Sequence, residues 1–299
     1  MRTLLIAGLL ACATAASADT VSVETATGTA EVPASPETVA VFDVAAIDTI
    51  SALGQPIAGV PQPLYMDRLE AATEGAEPVG TLFEPDFETL AVMQPDLIVV
   101  GGRSSAQAEA LGQIAPVIDM TIWGDGMVEQ AKARIDAYGE IFGRQDAATE
   151  LSAALDDKLA EARETVAGKG NALILLTNGG KISAFGADSR FGWLHGALDL
   201  PEAHPGLSSE SHGQAVSFEF LAETDPDWLL VIDRGAAIGA EGEAAAATLD
   251  NPLVARTKAA QQGHIVYLDA APLYIAGGGA GAMMHTLDEI VAAFTPDEG

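Results

Sequence analysis

Residues 87–103 read FETLAVMQPDLIVVGGR, and residues 218–234 read FEFLAETDPDWLLVIDR. Each stretch has a glutamate in second place, a Pro-Asp pair that begins seven residues later, an apolar run and a final arginine. This order predicts a short helix, a turn and a buried strand, twice in one chain. A pattern that occurs once in each half predicts two lobes of the same architecture.

Strands and helices alternate on both sides of these two stretches. Apolar runs predict strands at 38–43, 56–60, 96–100 and 116–120 in the first half, and at 172–176, 182–185, 228–232 and 264–268 in the second. Helical patterns cover 45–53, 87–93, 106–113, 218–222 and 283–294. Such alternation is typical of βα units with parallel strands. Before them, alternating apolar and polar residues around Gly28 predict a β-hairpin over 21–32.

The middle of the chain has a different pattern. Residues 127–166 are nearly all good helix formers, with a break near Gly143. We therefore predict an α/β protein with two Rossmann-like βα lobes joined by one long helix. The predicted boundaries are an N-terminal lobe over 19–143, a connecting helix over 144–168 and a C-terminal lobe over 169–299.

Composition excludes several classes of protein. The chain has 299 residues, 48% of them hydrophobic, which excludes intrinsic disorder. It carries 14 Lys and Arg against 43 Asp and Glu, for a net charge of −29. Nucleic acids are bound through basic surfaces, so we expect no nucleic-acid partner.

The N-terminus has the three parts of a secretory signal peptide. A basic start at Arg2 precedes a short apolar run and the small residues Ala16-Ser17-Ala18. We predict a signal peptide over 1–18, cleavage after Ala18 and a periplasmic protein. The alternative is lipidation at Cys12, the sole cysteine of the chain.

Three arginines follow predicted strands. Arg103 and Arg234 come after the strands at 96–100 and 228–232, and Arg190 lies in the loop after the strand at 182–185. Ligands of open α/β sheets bind beyond the carboxyl ends of the strands. Guanidinium groups suit carboxylate, phosphate and catecholate oxygens, so we predict an anion pocket between the lobes. The alternative is that each arginine pairs with one of the many surface carboxylates.

Two further residues are candidate iron ligands. His212 lies in the polar loop at 208–213, and Tyr274 precedes the glycines at 277–279. Imidazole and phenolate both bind iron. The alternatives are a solvated loop histidine and a packed tyrosine. The sequence has no H-E-x-x-H, G-x-S-x-G or Walker A motif, so nothing in it indicates a hydrolase or an NTPase.

Taken together, these features resemble a known family. The resemblance is carried by the doubled Glu…Pro-Asp pattern, by Tyr274 with its glycines, and by residues 189–192, 211–213, 231–234, 249–260 and 265–269. The chain resembles the periplasmic solute-binding proteins of iron-siderophore, haem and cobalamin ABC importers, over essentially the whole mature chain. It is most similar to ferric siderophore binders of the enterobactin and petrobactin type.

The resemblance implies a class III binding protein that holds its ligand in the cleft between lobes, with no intrinsic cofactor and no catalysis. Arg103, Arg190 and Arg234 would hold catecholate oxygens of a ferric siderophore. His212 and Tyr274 would complete the iron sphere of a tetradentate complex.

The resemblance also implies partners. Glu88 and Glu219 would dock on the permease of an ABC transporter with its ATPase subunits, and the protein would be a monomer. The alternative for both glutamates is ordinary surface charge. Haem or cobalamin is the alternative ligand on the same fold. A zinc or manganese binder and a secreted α/β enzyme are weaker alternatives.

Overall fold

A computed structural model describes residues 19–124, 126–242 and 244–295. The predicted signal peptide at 1–18, with Cys12 and the cut after Ala18, lies outside these residues. The described chain begins with the antiparallel hairpin of β1 (Thr20–Thr25) and β2 (Gly28–Pro33). The hairpin predicted over 21–32 is therefore confirmed.

The first sheet consists of five parallel strands in the order β5-β4-β3-β6-β7. The strands are β3 (Val39–Val41), β4 (Gly59–Val60), β5 (Glu77–Pro78), β6 (Leu97–Val100) and β7 (Val117–Asp119). The helices between them are α1 (Val44–Ala52), α2 (Asp67–Ala72), α3 (Phe87–Met93) and α4 (Ala108–Leu111). A 3-10 helix, Gly102–Gln107, precedes α4, where the pattern at 106–113 predicted one α-helix.

The second sheet has the order β10-β9-β8-β11-β12. Its strands are β8 (Ala172–Asn178), β9 (Lys181–Phe185), β10 (Gln214–Val216), β11 (Trp228–Asp233) and β12 (Ile265–Leu268). Its half of the chain also holds α7 (Trp193–Gly196), α8 (Phe218–Thr224), α9 (Arg234–Ala237), α10 (Ala245–Leu249), α11 (Lys258–Gln262) and α12 (Ala270–Tyr274).

The second sheet is mixed. Strands β8, β11 and β12 are parallel, but β9 runs antiparallel to both of its neighbours. The cause is the two-residue turn Gly179-Gly180, in which both residues have positive φ, 55° and 76°. Two positive φ angles in a row make the tight turn that joins antiparallel strands. The Gly-Gly pair was a visible hairpin signal, and it distinguishes β9 from a strand of a βα unit.

The doubled stretch folds in the same way twice. Both α3 and α8 have seven residues, and each is followed by a buried strand, β6 or β11. Each helix ends at a residue in the left-handed conformation, Gln94 at φ 51° and Asp225 at φ 47°. The predicted repeat of a helix, a turn and a strand is confirmed.

The aspartates of the two Pro-Asp pairs hold the sheets together. The Asp96 carboxylate accepts hydrogen bonds from the backbone N–H groups of Glu37 and Thr38, at 3.0 and 2.8 Å. Asp227 accepts from the N–H of Asn171 at 3.0 Å. Each aspartate thus ties its own strand to the chain that enters the neighbouring strand, β3 or β8.

Two long helices carry the chain from the first sheet to the second. They are α5 (Met127–Ile141) and α6 (Gln145–Val166), and Gly143 between them has φ 63°. The last helix, α13 (Ala280–Phe294), packs against α6 and also against α1 of the first half. Within the described ranges, no helix is long and apolar enough to cross a bilayer.

One apolar core connects the two halves. In β6, Leu97 and Val99 face the cluster that continues through α5, α6 and α13 to residues of the second sheet, such as Leu230. Ile98 and Val100 face a separate cluster beneath α3 and α4. Both faces of the strand are covered, which is why its sequence is continuously apolar.

The N-terminus of α13 is capped by α1. Thr49 Oγ1 accepts from the N–H of Ala280 at 3.1 Å, and Asp48 accepts from the N–H of Ala282 at 2.8 Å. Asp48 is buried and also pairs with Arg68. A Cβ at Gly279 would stand 2.7 Å from the Asp48 carboxylate. This glycine therefore admits the Asp48 carboxylate of α1 close to the start of the last helix.

Candidate ligand-binding site

A cleft of about 670 Å³ opens at the carboxyl ends of the first sheet. Asp43 follows β3, Arg103 follows β6 and Trp123 follows β7, and all three line the cleft. The strand order reverses between β3 and β6, the position at which open α/β sheets form a ligand crevice. The second half of the chain supplies the opposite wall, including Arg190 and Tyr274.

Two of the predicted arginines meet at one backbone carbonyl. Arg103 Nη2 donates to the carbonyl of Tyr274 at 2.9 Å, and its Nη1 donates to that of Ile275 at 3.2 Å. Arg190 Nη2 donates to the same Tyr274 carbonyl at 2.7 Å. Guanidinium groups from the two halves of the chain are thereby fixed side by side in the cleft.

Arg234 reaches the same residue from another side. Its Nε lies 3.2 Å from the phenol oxygen of Tyr274, within hydrogen-bond distance. Arg234 begins α9 directly after β11, and it does not line the cleft itself. The structure thus brings all three predicted arginines to Tyr274, with Arg103 and Arg190 lining the cleft and Arg234 beside the phenol oxygen.

None of these three arginines pairs with a carboxylate anywhere in the part of the chain that the structure describes. The alternative of three ordinary surface ion pairs therefore does not describe them. Burial, and to a smaller extent the neighbouring Arg103 guanidinium, lowers the pKa of Arg190 to about 10. The three guanidinium groups thus have no direct carboxylate partner among the described side chains, which leaves their N–H donors able to bind an anion.

Carboxylates lie on the first-half wall, and sequence reasoning missed them. Asp43 caps α1 by accepting from the N–H of Ala45 at 2.7 Å, and burial raises its pKa. Asp119, at the end of β7, accepts from the N–H of Thr121 at 3.0 Å. Both aspartates stand at strand ends, the same signal that identified Arg103.

Aromatic rings surround Arg190. Its guanidinium carbon lies 4.7 Å from the ring centre of Tyr274, 4.8 Å from that of Phe191 and 5.9 Å from that of Trp123. Phe191 is buried, whereas Trp123 is half exposed. Cation–π attraction to these rings favours the charged guanidinium in a partly dry site.

The two candidate iron ligands line the same cleft. Tyr274 belongs to the wall already described, and His212 lies exposed on the rim, where its Nδ1 is 3.0 Å from Ser211 Oγ. Among the described residues, no group of three or more histidine, cysteine or acidic side chains is placed to hold a metal ion.

The two candidate docking glutamates occupy equivalent places. Glu88 lies in the first turn of α3 and Glu219 in the first turn of α8, and both side chains are exposed. A hydrogen bond from its own backbone N–H, and then the Ser217 hydroxyl, lowers the pKa of Glu219. The repeat thus presents one carboxylate from each half of the chain.

Known proteins are similar to this chain over most of its length. Petrobactin-binding protein YclQ of Bacillus subtilis is 35% identical over 87% of this chain and 83% of its own. Its crystal structure superimposes with a TM-score of 0.88 and covers 93% of this chain and 100% of its own, at 32% identity.

Two relatives from Vibrio extend the comparison. Ferric-anguibactin-binding protein FatB of Vibrio anguillarum is 29% identical over 87% of this chain and 83% of its own. The structure of the catecholate-siderophore binding protein VctP of Vibrio cholerae has a TM-score of 0.84 and 31% identity, over 92% of this chain and 100% of its own.

The family model described as periplasmic binding protein matches residues 39–272. The match begins at β3 and ends within α12, so it includes both five-stranded sheets and most of the cleft lining, and it stops two residues before Tyr274. The resemblance seen in the sequence is confirmed, and the chain belongs to the periplasmic binding protein family.

Proposed function

We propose that this protein binds a ferric siderophore in the cleft and delivers it to an ABC importer. One observation carries the proposal: Arg103, Arg190 and Arg234 converge on Tyr274 without a carboxylate partner among the described residues. A ferric catecholate is anionic and presents forked oxygen pairs that guanidinium groups bind well. Relatives named for petrobactin, anguibactin and a catecholate siderophore support this ligand class.

In the proposed complex, protein side chains complete the iron sphere. A tetradentate bis-catecholate leaves two coordination positions on iron, and His212 and Tyr274 would fill them. Arg234 beside the phenol oxygen would help to balance the negative charge of a bound phenolate. No bond of the ligand is made or broken, so the activity is binding and release.

Delivery needs a docking surface and the right compartment. We propose that lobes at 19–143 and 169–299, joined by the helix region 144–168, present Glu88 and Glu219 to the permease of a transporter with ATPase subunits. The proposed mature protein begins at Asp19, after a signal peptide, and works in the periplasm as a monomer.

The test is a titration of the mature protein with a ferric bis-catecholate. We expect quenching of tryptophan fluorescence together with a shifted charge-transfer band, because protein atoms would enter the iron sphere. His212→Ala combined with Tyr274→Phe should weaken binding of this tetradentate complex more than that of a hexadentate tris-catecholate. Equal losses would refute the ligand role, and no binding of either complex would refute the function and direct the next titrations to haem and cobalamin.

A further inference from the structure

Trp123 is the half-exposed aromatic side chain of the cleft wall. It follows β7 at the carboxyl edge of the first sheet, and 55% of its surface is exposed. Large apolar side chains left open to solvent in a concave site commonly contact a ligand. None of the ligand contacts proposed above uses this indole.

The backbone of Trp123 is fixed at both of its polar atoms. Its N–H donates to Gln130 Oε1 at 3.3 Å, and its carbonyl accepts from Gln130 Nε2 at 3.0 Å. Gln130 lies on α5, so a regular helix holds the loop that carries the indole. Because the loop is already held in place, less conformational entropy is lost when the indole contacts a ligand.

The indole also stands beside the cationic part of the site. Its ring centre is 5.9 Å from the guanidinium carbon of Arg190, which comes from the other half of the chain. A planar aromatic surface and forked N–H donors are therefore adjacent. This combination suits a ligand whose anionic oxygens are attached to an aromatic ring, because the ring can stack while the oxygens accept hydrogen bonds.

We propose that Trp123 is a specificity-determining residue that stacks on an aryl ring of the bound chelate. It would give the cleft a preference for ferric complexes of catecholate or phenolate type over aliphatic carboxylate complexes of similar charge. This inference rests on the proposed siderophore function and adds the chemical class that the cleft selects.

Calorimetric titration separates the two ligand classes without relying on tryptophan fluorescence. The probes are a ferric bis-catecholate and ferric dicitrate, both anionic, and the variants are Trp123→Ala and Trp123→Phe. We expect Trp123→Ala to weaken the aryl complex about three- to tenfold and dicitrate less than about twofold, with Trp123→Phe close to wild type. Tyr267→Ala is the matched control, since Tyr267 is 46% exposed and lies on β12 outside the cleft.

The outcomes distinguish this inference from the function on which it rests. If the wild type binds the aryl complex and Trp123→Ala binds it equally well, the role of Trp123 is refuted while the function stands. Equal weakening of both complexes by Trp123→Ala also refutes the selectivity. A wild-type protein that binds neither ferric complex refutes the function and the inference together.

Discussion

At the scale of single residues, Tyr274 organises the site through two different atoms. Its backbone carbonyl accepts from Arg103 and Arg190, and its phenol oxygen lies beside Arg234. Arg103 and Arg234 were predictable because each follows a strand of a parallel set, and the carboxyl ends of such strands border the ligand crevice. Arg190 follows β9, which is antiparallel to its neighbours, so this rule does not explain its place in the cleft. The common partner of the arginines was not predictable, since a backbone carbonyl leaves no trace in the residue types of a sequence.

The places of Trp123 and Asp43 in the cleft could not be predicted from the sequence. Both follow strands, as Arg103 does, but an aromatic residue or an aspartate in such a place is common for structural reasons. Asp43 indeed caps α1. Only the described geometry shows that Trp123 faces the cleft beside Arg190.

Arg190 is expected to lower the stability of the ligand-free protein. Because its pKa is lower in the folded chain than in the unfolded one, the destabilising effect is complete below about pH 10 and fades as the pH rises above that value. Arg190→Met should therefore raise the free energy of unfolding at pH 7.5 by about 1 kcal/mol, allowing for solvent near the partly exposed group. The same change should weaken binding of a ferric bis-catecholate at least about tenfold.

Denaturant unfolding and calorimetry measure these two effects. Arg256→Met is the control, because Arg256 is an exposed arginine outside the cleft, and its change in unfolding free energy should stay within about 0.5 kcal/mol. A loss of stability in Arg190→Met would contradict the inference that burial of this charge costs folding free energy.

At the scale of elements, the sequence pattern predicted the helices and strands that depend on interactions between residues close in sequence. The repeat of α3 with β6 and of α8 with β11 follows from helix stop signals and apolar runs. The hydrogen bonds from Asp96 and Asp227 to neighbouring strands join residues far apart in sequence. The sequence pattern therefore revealed the two Pro-Asp pairs but not the strands that their aspartates hold. For the same reason, the cap of α13 by α1 could not be predicted.

That cap makes a measurable contribution to stability. Thr49 accepts from the N–H of Ala280 and also donates to the carbonyl of Ala45 within its own helix. Thr49→Val should lower the free energy of unfolding by about 1–2 kcal/mol, because the N–H at the start of α13 loses its partner. Thr286→Val is the control, since Thr286 is equally buried and its hydroxyl makes the intrahelical bond to Ala282. Equal losses in urea unfolding would refute the capping role.

The equivalent positions of Glu88 and Glu219 lead to a prediction about transport. Glu88→Ala combined with Glu219→Ala should leave the affinity for the ferric complex unchanged and slow its uptake into cells at least about fivefold, since charge pairs at an interface contribute strongly to association. Glu150→Ala with Glu164→Ala is the control, because both residues are exposed on α6. Normal uptake by the first double variant would leave these glutamates as ordinary surface charge.

At the scale of the whole molecule, the continuous apolar core limits how far the two halves can move. The cluster that includes β6 continues through α6 and α13 into the second sheet. Opening the halves widely would expose part of this core to water, which opposes large motion. The long helical segment was predictable from composition, whereas the continuity of the core depends on how distant helices pack.

Solution scattering tests this restriction. We expect a radius of gyration of about 19 Å that falls by less than about 0.5 Å when a ferric bis-catecholate binds. Arg190→Met at the same concentration of the complex is the control for scattering by unbound ligand. A fall of more than about 1 Å would show that the halves close on the ligand as hinged bodies.

The carbonyl of Tyr274 has a consequence for how such a protein can change over evolutionary time. Arg103 and Arg190 are fixed by a main-chain oxygen, which every amino acid supplies. The side chain at 274 can therefore be replaced without removing the anchor of these two cations. Under the proposed role of Tyr274 as an iron ligand, a change of this side chain would alter the metal coordination while Arg103 and Arg190 keep their positions. A descendant chain could then bind a different iron chelate with unchanged recognition of negative charge.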